Sequence, residues 1–278
     1  MLKRTITSLV SICILLPVLF LSDTIALPIA IALISCIALY EIYKCIGESK
    51  KYYFCIPAYI CALVAPFVLR YCNGKIFLSF AFIYGALYLL YLFMITVWLK
   101  GTVKFSKIAE IFGVGLYIIA ALNSILYIRD IVGSGKYLYL LIFIGAWVTD
   151  IFAYLTGMLL GKHKLIPEVS PKKTVEGSLG GTLFCVLSFV AFGIIVDTFF
   201  NMNANLIFLA VSGVLVSVVA QMGDLIMSLI KREYGIKDYG KLFPGHGGVL
   251  DRFDSILSVS LMVAVICVFA AVTNISLL

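Results

Sequence analysis

Residues 228–254 read SLIKREYGIKDYGKLFPGHGGVLDRFD and form a polar island between two strongly apolar segments. The island contains four acidic residues and five Lys or Arg residues. The chain of 278 residues is 63% hydrophobic and only 13% charged, which leaves too little polar surface for a soluble domain. In such a chain a polar island indicates where the chemistry lies.

A membrane span needs about 20 mainly apolar residues, and nine segments meet that requirement. The sequence therefore predicts an all-α integral membrane protein, a polytopic bundle of about nine transmembrane helices. We expect the first span to remain as a membrane helix and not to be a secretory signal, because apolar sequence resumes directly after it. The predicted spans are 5–21, 24–45, 55–71, 76–99, 108–128, 137–160, 179–200, 205–230 and 256–278.

Positive charges are distributed unequally between the two ends of the predicted spans. With nine spans, 17 of the 21 Lys and Arg residues fall on the side of the N-terminus and 4 on the other side. Because the cytoplasmic loops of membrane proteins are enriched in Lys and Arg, we expect the N-terminus and the polar loops 161–178 and 231–252 on the cytoplasmic side of the cell membrane. The net charge of +7 then reflects topology, and no nucleic-acid partner is expected.

Polar groups at helix depth are concentrated after Trp147. Residues 1–140 consist of apolar spans joined by short charged loops, which favours a transmembrane scaffold or assembly region. We therefore expect residues 141–278 to form a catalytic transmembrane region with two cytoplasmic loops.

Asp224 lies near the predicted cytoplasmic end of the span 205–230. At 3.6 residues per turn, Ser228 and Lys231 share its helical face. A carboxylate there costs on the order of 3 kcal/mol, so we expect it to face a polar cavity, a metal ion or a cation. A salt bridge to Lys or Arg at the helix end is the structural alternative.

Asp251 and Asp254 stand at the start of the last span, and their spacing places both on one side of its first turn. Acids are favourable at a helix N-terminus, so simple capping is the structural alternative. The preceding PGHGG turn favours a ligand site, because glycines permit close backbone approach and N–H groups at a helix start suit a phosphate.

The other polar loop contains SPKKTVEGSLGG at residues 170–181. Lys172 and Lys173 are point charges suited to phosphate, and Thr174 followed by an acid and glycines is typical of a helix start. The GxxxxGK[ST] pattern of a Walker A motif is absent. A loop whose lysines only set the topology is the alternative.

Asp150 shares one helical face with Tyr154, Gly157 and Gly161. The two glycines form a GxxxG pattern, which predicts close helix packing. Asp150 is either an acid near the substrate or a structural hydrogen-bonding group, and the sequence favours neither.

Carboxylates, cationic side chains and a glycine-rich turn at one membrane edge suit a metal-bound polyphosphate. Mg²⁺ prefers a few carboxylates together with substrate phosphates and water, and paired metals can hold the attacking and leaving oxygens of a displacement. The second substrate is then expected in the bilayer.

The run S-L-I-K-R-x4-K-D-x-G-x2-F-P-x-H-G-G-V-x-D-R-F-D at residues 228–254 resembles the signature of the phosphatidate cytidylyltransferases, or CDP-diacylglycerol synthases. The chain matches this pattern throughout its 27 residues. The SPKKTVEG loop and the D-x3-Y-x2-G-x3-G segment that starts at Asp150 extend the resemblance over about residues 147–258. The N-terminal half is similar only in being a series of apolar spans.

The resemblance implies a homodimeric membrane enzyme that joins CTP to phosphatidate, with Mg²⁺ as cofactor and a second metal ion left open. It implies metal binding by Asp224, Asp251 and Asp254. The residues expected to act in catalysis are Asp224, Asp251, Lys231 and Arg252. The residues expected to contact phosphate, of a substrate or of a lipid headgroup, are Lys172, Lys173, Thr174, Arg232, Lys237, His246, Gly247 and Gly248.

Two other functions fit part of the pattern. A CTP-dependent lipid kinase acting on a polyprenol or similar alcohol would share the acids and lysines, but it needs a base for a neutral alcohol. An ion-coupled transporter would use Asp150 and Asp224 as coupling sites, whereas the polar groups here cluster in two loops on one side.

The charge distribution makes a direct prediction about topology. In a functional cysteine-depleted background, an impermeant thiol reagent outside intact cells should label a cysteine introduced at Asn203 and leave one at Lys172 unlabelled. The reverse labelling pattern would contradict the predicted orientation.

Overall fold

The computed structural model describes residues 16–100, 103–243, 245 and 247–278. Within them the chain forms helices, connecting loops and one small β-hairpin. The helices are α1 (Ala26–Cys45), α2 (Tyr52–Tyr71), α3 (Gly74–Trp98), α4 (Phe105–Arg129), α5 (Gly135–Leu138), α6 (Leu140–Leu160), α7 (Val175–Phe200), α8 (Leu206–Glu233) and α9 (Leu250–Thr273). The hairpin pairs β1 (Lys164–Ile166) antiparallel with β2 (Ser170–Thr174), so that Lys164 is opposite Thr174 and Ile166 opposite Ser170.

Eight helical segments of the described residues are long and apolar enough to cross a membrane, with α5 and α6 together forming one of them. They correspond to eight of the nine predicted spans, and the predicted class, an all-α polytopic membrane protein, is confirmed. The predicted span 5–21 falls outside the described residues except for 16–21, of which 16–20 are helical. The largest boundary difference is at α9, which begins at Leu250, before the predicted start of the span at residue 256. The prediction started late because charged residues in the first turns of α9 interrupt the apolar run.

The chain divides into two compact units. The first unit contains the described residues up to Leu126 together with Ile236–Arg252, and the second contains Tyr127–Gly235 and Phe253–Leu278. The glycine-rich turn before α9 therefore belongs to the unit of the N-terminal helices. The functional division at residue 140 stays a prediction.

In the first unit α1 packs against α2, and α2 packs against α3. Tyr43 of α1 is fully buried, and its hydroxyl donates to the carbonyl of Ile111 in α4 at 3.4 Å. A Cβ atom at Gly115 would lie 2.7 Å from that hydroxyl. The absence of a side chain at Gly115 thus makes room for the Tyr43 ring between the helices.

Two tyrosines of α3 donate hydrogen bonds to backbone carbonyls of α2. The hydroxyls of Tyr88 and Tyr91 reach the carbonyls of Phe54 and Tyr53, respectively, each at 2.9 Å. Pro57 has no N–H to donate to the carbonyl of Tyr53, four residues earlier in the helix. The Tyr91 hydroxyl supplies the donor that this carbonyl lacks within the helix.

In the second unit the GxxxG pattern of α6 packs closely against the start of α7. A Cβ atom at Gly157 or Gly161 would lie 2.8 Å from the Thr174 Oγ1 atom. A Cβ atom at Gly181, in the second turn of α7, would lie 2.8 Å from the carbonyl oxygen of Thr149 in α6. The close packing predicted for this pattern is confirmed.

Side chains at the start of α7 close the loop that precedes it. The Thr174 hydroxyl accepts the N–H of Gly177 at 3.1 Å, which makes Thr174 the N-cap. The Glu176 carboxylate accepts the N–H groups of Lys162 and His163 at 3.1 and 3.2 Å. The helix start predicted at Thr174 is confirmed.

The contact between α2 and α3 generates a prediction about stability. Tyr91→Phe should lower the free energy of unfolding by about 0.6 kcal/mol, because the carbonyl of Tyr53 loses its donor. In a Pro57→Ala background the loss should be smaller, since the restored N–H at position 57 can donate to that carbonyl. The two losses are measured by unfolding the unmodified protein, both single variants and the double variant in detergent micelles. Equal losses in the two backgrounds would contradict this role of Tyr91.

Candidate active site

Three aspartates of the second unit lie close enough to interact electrostatically. They are Asp150 of α6, Asp224 of α8 and Asp254 of α9, and we call them the aspartate cluster. Three helices thus contribute one acid each. Two of the three predicted metal ligands, Asp224 and Asp254, are brought together here.

Lys173 of β2 forms an ion pair with the aspartate cluster. Its Nζ atom lies 2.6 Å from Asp224 Oδ2 and donates to the carbonyl of Gln221 at 3.4 Å. The side chains of Lys173 and Asp224 are 24% and 26% exposed. This cation comes from the loop before α7, whereas the structural alternative for Asp224 placed its partner at the helix end.

The other two acids of the cluster share a serine. The Ser255 hydroxyl donates to Asp150 Oδ2 at 2.9 Å, and Asp254 Oδ1 accepts the Ser255 N–H at 2.9 Å. Lys231, which is buried in α8, is near enough to act on the charge of Asp254. A cation bound here would favour the ionised form of these three acids.

A seam of polar side chains runs between α7 and α8 beside the cluster. The Gln221 Nε2 atom lies 3.3 Å from the carbonyl oxygen of Ser178 and from the hydroxyls of Thr182 and Ser217. The Ser217 hydroxyl donates to Thr182 Oγ1 at 3.1 Å. Polar groups between membrane helices bind one another because lipid offers no hydrogen-bond partners. The seam therefore continues the polar environment of Asp224 along the contact between α7 and α8.

The predicted phosphate contacts of the loop 170–177 have different surroundings. Lys172 is exposed, Lys173 pairs with Asp224, and Thr174 is buried as the N-cap of α7. The observed role of Thr174 is therefore structural. Contact of these residues with phosphate stays a prediction.

In the first unit a tight turn precedes α9. The N–H of Phe243 donates to the carbonyl of Gly247 at 2.9 Å. Gly245 and Gly247 have φ angles of +82° and +87°, which residues with a side chain rarely adopt. The turn therefore requires glycine at both positions. His246 lies outside the described residues, and its role stays a prediction.

Asp251 holds this turn through one carboxylate oxygen. Its Oδ2 atom accepts the N–H of Tyr239 at 2.8 Å and the N–H of Gly248 at 2.9 Å. The side chain is buried. These bonds correspond to the capping alternative for Asp251, while metal binding by Asp251 stays a prediction.

Glu41 of α1, which sequence reasoning missed, holds the same turn. Its Oε1 atom accepts the N–H of Val249 at 3.0 Å, and its Oε2 atom accepts the N–H of Leu250 at 2.8 Å. The available signal was its position, because it is the only acid in the apolar segment Ala26–Cys45. Sequence reasoning also missed Gln221 and Ser255, because single neutral polar residues are common in apolar helices.

The N–H groups of residues 248–250 donate to these two carboxylates. The start of α9 is therefore occupied by acids of the protein, where the sequence suggested a phosphate. Phosphate binding by Gly247 and Gly248 stays a prediction, and it requires groups other than these three N–H groups.

The remaining predicted cations are divided between the two units. Arg232, at the end of α8, is exposed in the second unit, and Lys237 and Arg252 are exposed in the first. Exposed cations at a membrane edge suit the phosphates of headgroups as well as those of a soluble substrate.

A magnesium ion fits the donors of the aspartate cluster. Among the residues that the structure describes, no three His, Cys, Asp or Glu side chains form a metal-binding group by themselves. Mg²⁺ does not require such a group, because it takes one or two carboxylates and completes its coordination with phosphates and water. Asp224 and Asp254 are the carboxylates that would hold it.

Apolar spanning helices with clustered acids and lysines define a membrane-embedded protein equipped for phosphate chemistry. The chain matches the model of the cytidylyltransferase family over residues 2–270. It is 31% identical over 261 residues to a phosphatidate cytidylyltransferase of Staphylococcus epidermidis, an alignment that covers 92% of this chain and 95% of the relative. The chain therefore belongs to the cytidylyltransferase family.

Two further relatives are similar over shorter alignments. A phosphatidate cytidylyltransferase of Staphylococcus aureus is 48% identical over 126 residues, which are 45% of this chain and 47% of the relative. One of Staphylococcus saprophyticus is 42% identical over 134 residues, which are 48% of this chain and 50% of the relative. These two alignments span about half the length of each relative. The predicted family and enzyme class, a nucleotidyltransferase, are confirmed.

Proposed function

We propose that the chain transfers the cytidylyl group of CTP to phosphatidate, releasing pyrophosphate and leaving CDP-diacylglycerol in the membrane. The family match and the names of the relatives support this reaction. The observation that carries the proposal is the aspartate cluster with Lys173 and Lys231. Both substrates are anions, and the two lysines together with a cation held by the aspartates would balance their charge.

The reaction is a direct in-line displacement at the α-phosphorus of CTP. A phosphatidate oxygen forms the new bond to phosphorus, the bond to the oxygen bridging the α- and β-phosphorus breaks, and pyrophosphate leaves with that oxygen. A phosphomonoester with a second pKa of about 6 is already largely dianionic at pH 7. No strong general base is needed, so positioning and charge neutralisation provide the catalysis.

Repulsion between the two anionic substrates is the main obstacle. At about 4 Å and an effective dielectric constant of about 20, each pair of unit charges repels by roughly 4 kcal/mol. Lys173 and Lys231 offset this repulsion at the phosphates. Asp224 holds the ammonium group of Lys173 by a contact of 2.6 Å, so the acid also positions a catalytic cation.

Magnesium held by Asp224 and Asp254 would stabilise the negative charge that develops on the phosphate oxygens. Asp251 is proposed as a further ligand on the basis of the resemblance, and a second metal ion is left open. Asp254 is half-buried, and Lys231 is near enough to act on its charge.

The exposed cations have supporting roles in the proposal. Lys172, Arg232, Lys237 and Arg252 contact phosphates of CTP, of phosphatidate or of neighbouring headgroups. Their loops face the cytoplasm, where CTP is available, as the charge distribution predicts. The homodimer implied by the resemblance stays a prediction.

The proposed reaction predicts the fate of each phosphate of CTP. With purified protein, Mg²⁺ and phosphatidate, label in the α-phosphate should appear in lipid and label in the γ-phosphate in pyrophosphate. The reason is that attack occurs at the α-phosphorus. Thin-layer separation of lipid and aqueous products gives the result, and γ-label in lipid would establish a lipid kinase.

The aspartate cluster predicts strongly coupled losses of activity. Asp224→Asn and Asp254→Asn should each lower turnover at least about 100-fold, because each removes one of the two carboxylates proposed to hold the same magnesium ion. The double variant should be about as inactive as either single variant. Turnover at several Mg²⁺ concentrations and a melting curve in detergent provide the measurements.

Asp197→Asn is the matched control, because Asp197 is an exposed aspartate of α7 in the same unit. It should keep the activity of the unmodified protein. Well-folded Asp224→Asn with near-normal turnover would exclude a catalytic role of the cluster, whatever the outcome of the labelling experiment.

A further inference from the structure

Glu41 is a buried acid that the proposed chemistry does not use. It lies one turn before the end of α1, in a helix that is otherwise apolar up to Lys44, and it is 4% exposed. An ionised carboxylate in such a place is costly unless it is fully hydrogen-bonded. Its partners therefore indicate why an acid is present at this position.

The partners are two successive N–H groups at the start of α9. The two carboxylate oxygens are used separately, one for Val249 at 3.0 Å and the other for Leu250 at 2.8 Å. The N–H groups in the first turn of a helix have no acceptor within the helix, and the helix dipole favours negative charge there. Glu41 thus acts as an N-terminal cap supplied by a residue 208 positions away in the sequence.

Glycines enclose the Glu41 carboxylate on the loop side. A Cβ atom at Gly240 would lie 2.8 Å from Glu41 Cδ, and one at Gly248 would lie 2.5 Å from the same atom. Both distances are too short for a real side chain, so the loop is shaped to admit this carboxylate. Three segments of the first unit therefore meet at one charged group.

Asp251 completes the arrangement. It accepts the N–H of Gly248, directly before the two N–H groups that Glu41 accepts, and also the N–H of Tyr239. Glu41 and Asp251 thus bind three consecutive N–H groups of the glycine-rich turn. Any shift of Val249 or Leu250 away from Glu41 moves the backbone to which Asp251 is bound.

We propose that Glu41 is a positioning residue, which fixes the glycine-rich turn and through it the Asp251 carboxylate in the orientation needed for turnover. This inference rests on the proposed function for its catalytic consequence. Its structural part, that Glu41 holds Val249 and Leu250 in place, stands on the hydrogen bonds alone. Glu41 contacts neither substrate in this proposal.

The test compares Glu41→Gln with Glu48→Gln in the full-length protein. Glutamine keeps the size of the side chain but turns one acceptor into an NH₂ group, which cannot accept the N–H of Val249 or Leu250. Glu48 is the matched control, because it is also a buried glutamate of the first unit and pairs with Lys51 at 3.0 Å.

Three quantities are measured for each variant: kcat per folded molecule, KM for CTP, and the rate of trypsin cleavage after Lys237 and Lys241, which are exposed in the turn. Glu41→Gln should lower kcat about 10- to 100-fold with little change in KM, since misplacement affects the reacting geometry more than binding. Cleavage at the two lysines should accelerate several-fold relative to cleavage after Lys172 in the second unit. Glu48→Gln should leave all three quantities nearly unchanged.

Folded Glu41→Gln with normal kcat and normal resistance to trypsin would overturn the proposal. If that variant does not fold, Gly240→Ala tests the same contact from the loop side, and it should show the same loss of kcat and the same faster cleavage. Normal behaviour of folded Gly240→Ala would likewise overturn it. Label transfer from CTP by the unmodified protein is measured first, and its failure would contradict the proposed function. The rates of trypsin cleavage decide separately whether Glu41 holds the turn.

Discussion

A carboxylate among membrane-spanning helices has to find most of its partners within the protein, because hydrocarbon supplies neither water nor mobile ions. The described structure meets this constraint in two ways. Asp224 is balanced by the ammonium group of Lys173, whereas Glu41 and Asp251 are balanced by backbone N–H groups. The loop before α7, the start of α9 and the glycines between α8 and α9 are placed by these contacts.

The two kinds of partner have different chemical consequences. An ion pair between two partly exposed side chains can exchange its cation or its anion, since neither group has lost all contact with solvent. A buried carboxylate that accepts N–H bonds from consecutive residues fixes the backbone, because several donors would have to be released together. Asp224 is therefore suited to exchange with substrate and metal, and Glu41 is suited to hold a loop still.

What could be predicted from the sequence was mostly local. The spans follow from apolar runs, the N-cap from Thr174 before an acid and glycines, and the close approach of α6 and α7 from Gly157 and Gly161. The pairing of Asp224 with Lys173 was not predicted, because helical spacing selects neighbours only within one helix. The contact of Glu41 with Val249 joins residues 208 positions apart, and no local pattern contains that information.

The glycine-rich turn shows that a sequence pattern can indicate a place for an anion without saying which anion lies there. Glycines do permit close approach of an anion to the backbone, and an anion is indeed found at the start of α9. That anion is the protein's own, since Cβ atoms at Gly240 and Gly248 would collide with Glu41 and one at Gly247 would lie 2.6 Å from Asp251 Oδ2. Because the N–H groups of residues 248–250 are already bound, charge neutralisation of a substrate has to come from other groups. The lysines of the second unit, and a cation held by its aspartate cluster, would provide it, whereas the start of α9 gives the turn its fixed shape.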